Sequence, residues 1–476
     1  MQKNSKLSLS PLVFLILGSL IGAGFSDLPA NMARRAGSLG ILLAWIVTGT
    51  GILTLVFVFR NLSMRKPDLN NGIASYAKAG FGDYIGFNSA WGYWTSAVCA
   101  NASYFVIIFN AMAFFFPGIF ERDHLTISAL IGGSGIIWFI QFLVCRGVKK
   151  AAILNVVVQI AKFIPIVLFL VVLLVVFNFE KFSFDFFRTD MDFSVLGKQV
   201  RSVMSVTVWV FIGIEGAIVL SERAKTRKDI GRATIIAMFT ALLIYMLISL
   251  LPFGWMSQQE TSELSAPSTA YILEQIVGPW GAAIVNTGLI ISVLGAMLGW
   301  TILASEVIYV GAKDKLLPKI LTKENRRNTP VNSLLLTNSL SQILLLIAFL
   351  SAAAYEFIFF IAATAMLLPY LFSGMYGLKL TITRETYDFH PKRRKKDMFF
   401  AAVCTIYAIW LIYAAGIENL LVVSILYAPG VFLFAKVQRE NGKKVFNNRF
   451  DIAVFAVITV MAVIATIMLV IGKITM

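Results

Sequence analysis

The sequence predicts an all-α protein threaded repeatedly through a lipid bilayer, and three observations carry that prediction. Hydrophobic residues make up 58% of the chain and charged residues 14%, with mean hydropathy +0.80. That is far from the balance of a soluble domain. Apolar runs of about 20 residues, the length that crosses hydrocarbon, follow one another almost from end to end. Between them no stretch has room for a soluble domain.

After a short tail at 1–8, the first five spans fall near 9–35, 39–59, 84–116, 126–145 and 151–178. Five more fall near 203–221, 233–256, 277–312, 332–353 and 355–378. Two follow near 398–416 and 418–435, and the run at 452–472 makes a thirteenth. Lys3 and Lys6 before the first run look like the start of a signal peptide. No clear small-residue cleavage site follows, so the run is read as a retained span.

With the N-terminus in the cytoplasm and one crossing per run, 32 of the 41 Lys and Arg lie in cytoplasmic segments. Eight lie on the other side, and Lys162 falls within a span. This positive-inside bias orients the chain. It also accounts for the formal charge of +16 without nucleic acid. The densest basic run, Lys392-Arg393-Arg394-Lys395-Lys396, reads as a loop held near anionic headgroups.

Cys99, Cys145 and Cys404 are scattered and odd in number, and His124 and His390 fall in separate loops. Neither a disulfide framework nor a metal site follows from them, and no cofactor is expected. An intramembrane enzyme using Glu215, Asp27 and Lys162 would need a paired nucleophile or metal ligands, and neither is apparent.

The chain is organised around two weak points inside spans. In the first run, Gly18, Gly22 and Gly24 precede Pro29. Glycine in a helix interior costs about 1 kcal/mol, and proline removes a donor. In hydrocarbon the freed backbone groups are tolerated where they line a cavity or are buried in protein. The sixth span has Gly213 and Gly216 around Glu215. Close helix packing is the plain alternative for glycines, and Gly18 and Gly22 have the GxxxG spacing. Paired interruptions five spans apart point instead to a transporter of inverted repeats with a midplane site. Half-helix ends offer N–H groups to a carboxylate and carbonyls to a cation, which suits an amino acid.

Several motifs occur together: Gly22-Ala23-Gly24 with Leu28-Pro29, Tyr76-Ala77-Lys78-Ala79-Gly80-Phe81-Gly82, and Phe211-Ile212-Gly213-Ile214-Glu215. Gly299-Trp300-Thr301-Ile302-Leu303-Ala304 and Leu368-Pro369-Tyr370 complete the set. From about residue 10 to 440 the chain resembles the basic amino acid/polyamine antiporters of the amino acid–polyamine–organocation superfamily. It looks most like the arginine/ornithine exchangers.

The resemblance implies the leucine-transporter-type fold, with inverted five-helix repeats at 9–178 and 203–378 and C-terminal helices at 398–472. Twelve core helices and the thirteenth make up the whole. It implies that Ala23 and Gly24 receive the substrate carboxylate, and that Trp209, Ile212 and Gly213 line the pocket, with backbone near Gly213 on the α-amino group. Glu215 would be the gate acid, and Trp300 would stack on a guanidinium or amine. Tyr93 and Asn101 match gate and pocket positions. The resemblance also implies that Lys162 supplies a fixed cation where a coupling sodium would otherwise bind, so transport is expected to be sodium-independent.

Two departures bear on the substrate. Phe25, Ser26 and Asp27 follow Gly24, where the family usually has Ile/Val, Phe and Ser. Asp27 either attracts a cationic side chain or faces a vestibule. Phe359 and Phe360 replace small hydroxylated residues of the arginine/agmatine exchangers.

The expected function is exchange of arginine for ornithine by alternating access, in a bacterial cytoplasmic membrane. Arginine/agmatine or tyrosine/tyramine exchange, a lysine carrier and proton symport remain alternatives. The expected partners are cationic amino acids, amines and the bilayer, with a homodimer left open.

Overall fold

A computed structural model describes residues 8–69, 72–122, 124–146, 158, 162–186, 192–215, 227–351, 354–387 and 391–474. Among these residues the chain is helical, with isolated bridges at Pro117–Phe120 and Glu324–Pro330 and no β-strand. Ten stretches of the described residues, from Ser38–Arg65 to Arg449–Val470, are long and apolar enough to cross a membrane.

The first run is interrupted where its glycines fall. Helix α1 (Leu9–Leu20) stops, a tight turn occupies Ala23–Phe25, and α2 (Leu28–Ala33) resumes with Pro29 in its first turn. Proline is tolerated there because that N–H has no helical partner. Helices α3 (Ser38–Arg65), α4 (Ile73–Phe81), α5 (Asp83–Phe115) and α6 (Ile127–Cys145) follow. Of the fifth run, α7 (Phe163–Val176) is described; 151–157 and 159–161 lie outside the described residues. Short α8 (Phe179–Phe186) leads to α9 (Phe193–Phe211). The sixth helix therefore begins about ten residues before the apolar run, because Lys198 and Arg201 extend it as a polar first half.

The second half continues with α10 (Arg227–Leu250), α11 (Gln258–Ser262), α12 (Ser268–Val277), α13 (Pro279–Lys313) and α14 (Val331–Leu350). The tenth run, read as continuous, divides into α15 (Ala354–Ala365) and α16 (Leu367–Ile382). Pro369 explains the division: it supplies no donor, and its ring crowds the carbonyl four residues back. That carbonyl, on Ala365, accepts the Tyr427 hydroxyl at 2.8 Å instead. After α17 (Pro391–Ala415), Pro429 likewise divides the twelfth run into α18 (Ile417–Tyr427) and α19 (Gly430–Glu440). Helix α20 (Arg449–Val470) closes the chain.

Helix α5 is the axis of the bundle. In its most apolar stretch 83% of positions are buried, against 17% in α20, which lies at the periphery. Helix α13 runs along α5, and α4, α14, α15, α16 and α18 also pack on α5. Both long helices have the same lead-in: short α4, Gly82 at φ 99° and α5; short α12, Gly278 at φ 87° and α13. A left-handed residue at each corner lets the chain turn sharply, and glycine takes that conformation without penalty.

Candidate functional site

The two interruptions face each other. Helix α1 ends at Ile21, which is extended, and Gly22, at ψ −149°, and α9 ends at Ile212 (ψ 127°), followed by Gly213 at φ 114°. A Cβ on Gly24 would lie 2.9 Å from Val210 Cγ1 and 3.2 Å from Trp209 Nε1. One on Gly213 would lie 2.9 Å from the Ser19 carbonyl oxygen. Each glycine thus lets one break close on the helix of the other, and Gly213 also supplies the left-handed turn.

The exposed ends are held by side chains from two other segments, α10 and the start of α7. The Tyr245 hydroxyl on α10 lies 2.9 Å from the Leu20 carbonyl and 3.0 Å from that of Val210, one from each broken helix. Lys162, at the start of α7, is buried and donates to the Gly18 carbonyl and, at 2.6 Å, to that of Ile21. Its ammonium sits at the negative C-terminal end of α1, where the helix dipole favours a cation.

Glu215, 5% exposed, is the acid of the second break. Its carboxylate accepts the Tyr93 hydroxyl at 2.9 Å, the Tyr370 hydroxyl at 3.0 Å and the Gly213 N–H at 3.2 Å. One buried carboxylate therefore ties α5, α16 and the α9 break together, and the three donors offset its removal from water.

Aromatic rings surround the breaks. Trp209 packs against Phe359 with centroids 4.6 Å apart and meets Tyr104 edge-on at 6.4 Å. Trp300, partly exposed, lies 6.4 Å from Tyr93 and beside Gly213. Next to Trp300, Thr301 accepts the Asn101 amide at 3.1 Å. The Asn101 side-chain oxygen is buried and has no hydrogen-bond partner. An acceptor left in that state calls for a donor.

Broken helices, a buried acid and aromatic rings at the centre of a bundle are the parts of a transporter site. The amino acid permease family profile matches residues 7–463. An arginine/ornithine antiporter of Pseudomonas aeruginosa is 42% identical over 471 residues, covering 98% of this chain and 97% of that protein. The chain belongs to the amino acid permease family. An arginine/agmatine antiporter of Chlamydia trachomatis is 37% identical over 458 residues, covering 95% of this chain and 94% of its own. The protein is a multi-pass membrane transporter, not an enzyme.

In this permease the residues singled out from sequence fall into two groups. Ala23, Gly24, Tyr93, Trp209, Ile212, Gly213, Glu215 and Trp300 lie on or against the two breaks, with Lys162 capping the first. Asn101 is about two α5 turns from the level of Tyr93, and joins the wall through Thr301. Asp27 faces elsewhere: it accepts the Asn31 amide at 2.9 Å and the Ser268 N–H at 3.4 Å, docking α2 on the start of α12. Phe359 belongs to the aromatic wall, whereas Phe360 lies under the Arg35 guanidinium at 5.1 Å. Gly216, Ala217 and His390 lie outside the described residues.

Three residues of the site were given no role from sequence. Tyr370 stood only in the Leu368-Pro369-Tyr370 motif, and its place directly after the helix-dividing Pro369 was its signal. Tyr245 and Tyr104 carry no signal beyond a polar tip in an apolar run, because their partners are distant backbone groups and rings.

Proposed function

We propose that this permease exchanges a cationic amino acid, arginine, for a related amino acid or amine, ornithine, by alternating access around the two helix breaks. The observation that carries the reading is the enclosure of both breaks by Trp209, Trp300 and an Asn101 oxygen that lacks a donor. The name of the Pseudomonas aeruginosa relative supports the arginine/ornithine pair, and that of the Chlamydia trachomatis relative supports arginine with agmatine as the other substrate.

The N-terminal end of the Ala23–Phe25 turn receives the substrate carboxylate, and the backbone at Ile212 and Gly213 receives the amino group. Trp300 stacks on the cationic side chain, while Asn101 accepts one of its N–H groups. Glu215, Tyr93 and Tyr370 form the latch that must open for release. Lys162 already holds the carbonyls that a coupling cation would need, which supports sodium independence.

The reading includes two inverted repeats, at 9–178 and 203–378, with helices 11–13 appended. Its support is the correspondence of α1 with α9, and of α4–Gly82–α5 with α12–Gly278–α13. The charge bias supports an N-terminus in the cytoplasm, and the bacterial relatives support the cytoplasmic membrane.

The test is labelled arginine uptake into proteoliposomes preloaded with ornithine, agmatine, lysine, tyramine or nothing. Uptake that requires internal ornithine is the expected result. Equal uptake into empty vesicles under a proton gradient would make the protein a symporter, and no arginine uptake would discard the substrate.

A further inference from the structure

A second site lies away from the helix breaks, between α3, α16 and α17. A cavity of about 370 Å³ opens there, lined by Phe57, Arg60, Arg393, Lys396, Asp397 and Phe400 among others. That volume falls in the range of small-ligand sites.

Its charges do not balance. Asp397 is the one carboxylate in the wall, and it is already engaged. Its Oδ2 lies 3.2 Å from Arg65, 3.1 Å from the Tyr387 hydroxyl and 3.8 Å from Arg393. Arg65 is fixed in turn by Asn61 at 2.8 Å and by the Thr386 carbonyl at 2.7 Å. Among the described residues, Arg60 and Lys396 have no carboxylate within salt-bridge distance. The Arg60 Nε is buried without a hydrogen-bond partner.

The cations also stand where a helix favours them least. Arg393 and Lys396 lie in the first two turns of α17, at the positive end of its dipole. An anion there would be attracted by the side chains and by the helix end together. One turn further along the same two helices the wall turns apolar, with Phe57 and Phe400 stacked at 4.4 Å, the Lys396 Nζ 5.9 Å from the Phe400 ring and the outward Phe399 edge-on to Phe400 at 5.7 Å. Phe399 is 63% exposed, so this wall continues to the lipid-facing surface. A free phosphate would use the cations and leave the aromatic wall idle. A phospholipid uses both.

We propose that this cavity binds the phosphate of an anionic phospholipid, with Arg60, Arg393 and Lys396 on the headgroup and Phe57 and Phe400 beside the glycerol and upper chains. The site is independent of the transport reading. It does touch the gate helix, because Gly377 in the wall lies two turns beyond Tyr370 on α16.

The experiment is native mass spectrometry of the full-length protein, delipidated and titrated with phosphatidylglycerol, phosphatidylcholine or inorganic phosphate. Three proteins are compared: wild type, the exposed pair R393Q/K396Q, and R60K, which keeps the charge but loses the Nε donor. The expected result is phosphatidylglycerol adducts on wild type that fall at least about tenfold, some 1.4 kcal/mol, in the double variant, and a smaller fall in R60K. Phosphatidylcholine, whose choline cancels the phosphate charge, should bind weakly to all three. Equal phosphatidylglycerol retention by wild type and the double variant, with unchanged unfolding temperatures, overturns the site. Arg60-dependent binding of inorganic phosphate without retention of phosphatidylglycerol overturns the lipid assignment.

Discussion

Replacing Tyr245 by Phe removes one oxygen and tests whether the two breaks are held as a unit. The side chain is fully buried, stacked on Trp45 at 5.9 Å and edge-on to Phe211 at 5.7 Å, so the ring packing survives the change. What is lost is the hydroxyl between the carbonyls of Leu20 and Val210, at 2.9 and 3.0 Å. Leaving a buried carbonyl without its donor costs about 1–3 kcal/mol, and interhelical bonds in membranes average about 0.6 kcal/mol. If substrate must then order the breaks itself, 1–3 kcal/mol becomes about a five- to 150-fold loss of arginine affinity. The assay is equilibrium binding of labelled arginine to the purified protein, alongside thermal unfolding in the same detergent. Y245F with wild-type affinity and wild-type unfolding temperature would refute the argument, since the breaks would then be held by other contacts.

Three further outcomes are expected. G213A places a Cβ 2.9 Å from the Ser19 carbonyl at φ 114°, a strain of about 1–3 kcal/mol. Exchange should be lost while G442A, at φ 68° with open space around it, exchanges as wild type; equal rates for both would count against the close fit of the breaks. K162M strips the Gly18 and Ile21 carbonyls of their donor and should abolish exchange. Wild type should meanwhile be indifferent to sodium at constant membrane potential and pH. Outside the bundle, Ser257 and Glu260 form a capping box on α11, and the Ser257 N–H and hydroxyl lower the Glu260 pKa. That bonding stabilises the fold above the ordinary glutamate range and is lost as pH falls through the depressed folded value. E260Q should therefore flatten the acid limb of thermal stability, and S257A should cost about 0.5–2 kcal/mol; an unchanged acid limb in E260Q would contradict the linkage.

What the sequence revealed, and what it concealed, follows from the range of the interactions. Runs of apolar residues and the glycines at 22, 24 and 213 act locally, so the spans and both breaks could be read directly. Lys162 and Glu215 were legible because a charge in hydrocarbon needs a partner, although the partners themselves were not. The divisions at Pro369 and Pro429 were missed because hydropathy is continuous across them. Tyr245 was invisible for another reason: its acceptors are backbone carbonyls 225 and 35 residues away, and any residue type carries those. Asp27 shows the reverse case. Its charge drew attention to the first break, while its bonds to Asn31 and Ser268 turn it toward α12.

Binding of labelled arginine to purified wild type and N101L tests the central claim most directly, because Leu keeps the bulk of Asn101 and removes its unpartnered oxygen. The account expects saturable binding that ornithine displaces, weakened about tenfold or more in N101L, while the unfolding temperature falls no more than it does in T301V, which breaks the same Asn101–Thr301 bond and keeps the oxygen. Undiminished arginine binding by N101L would contradict the placement of the substrate between the two broken helices.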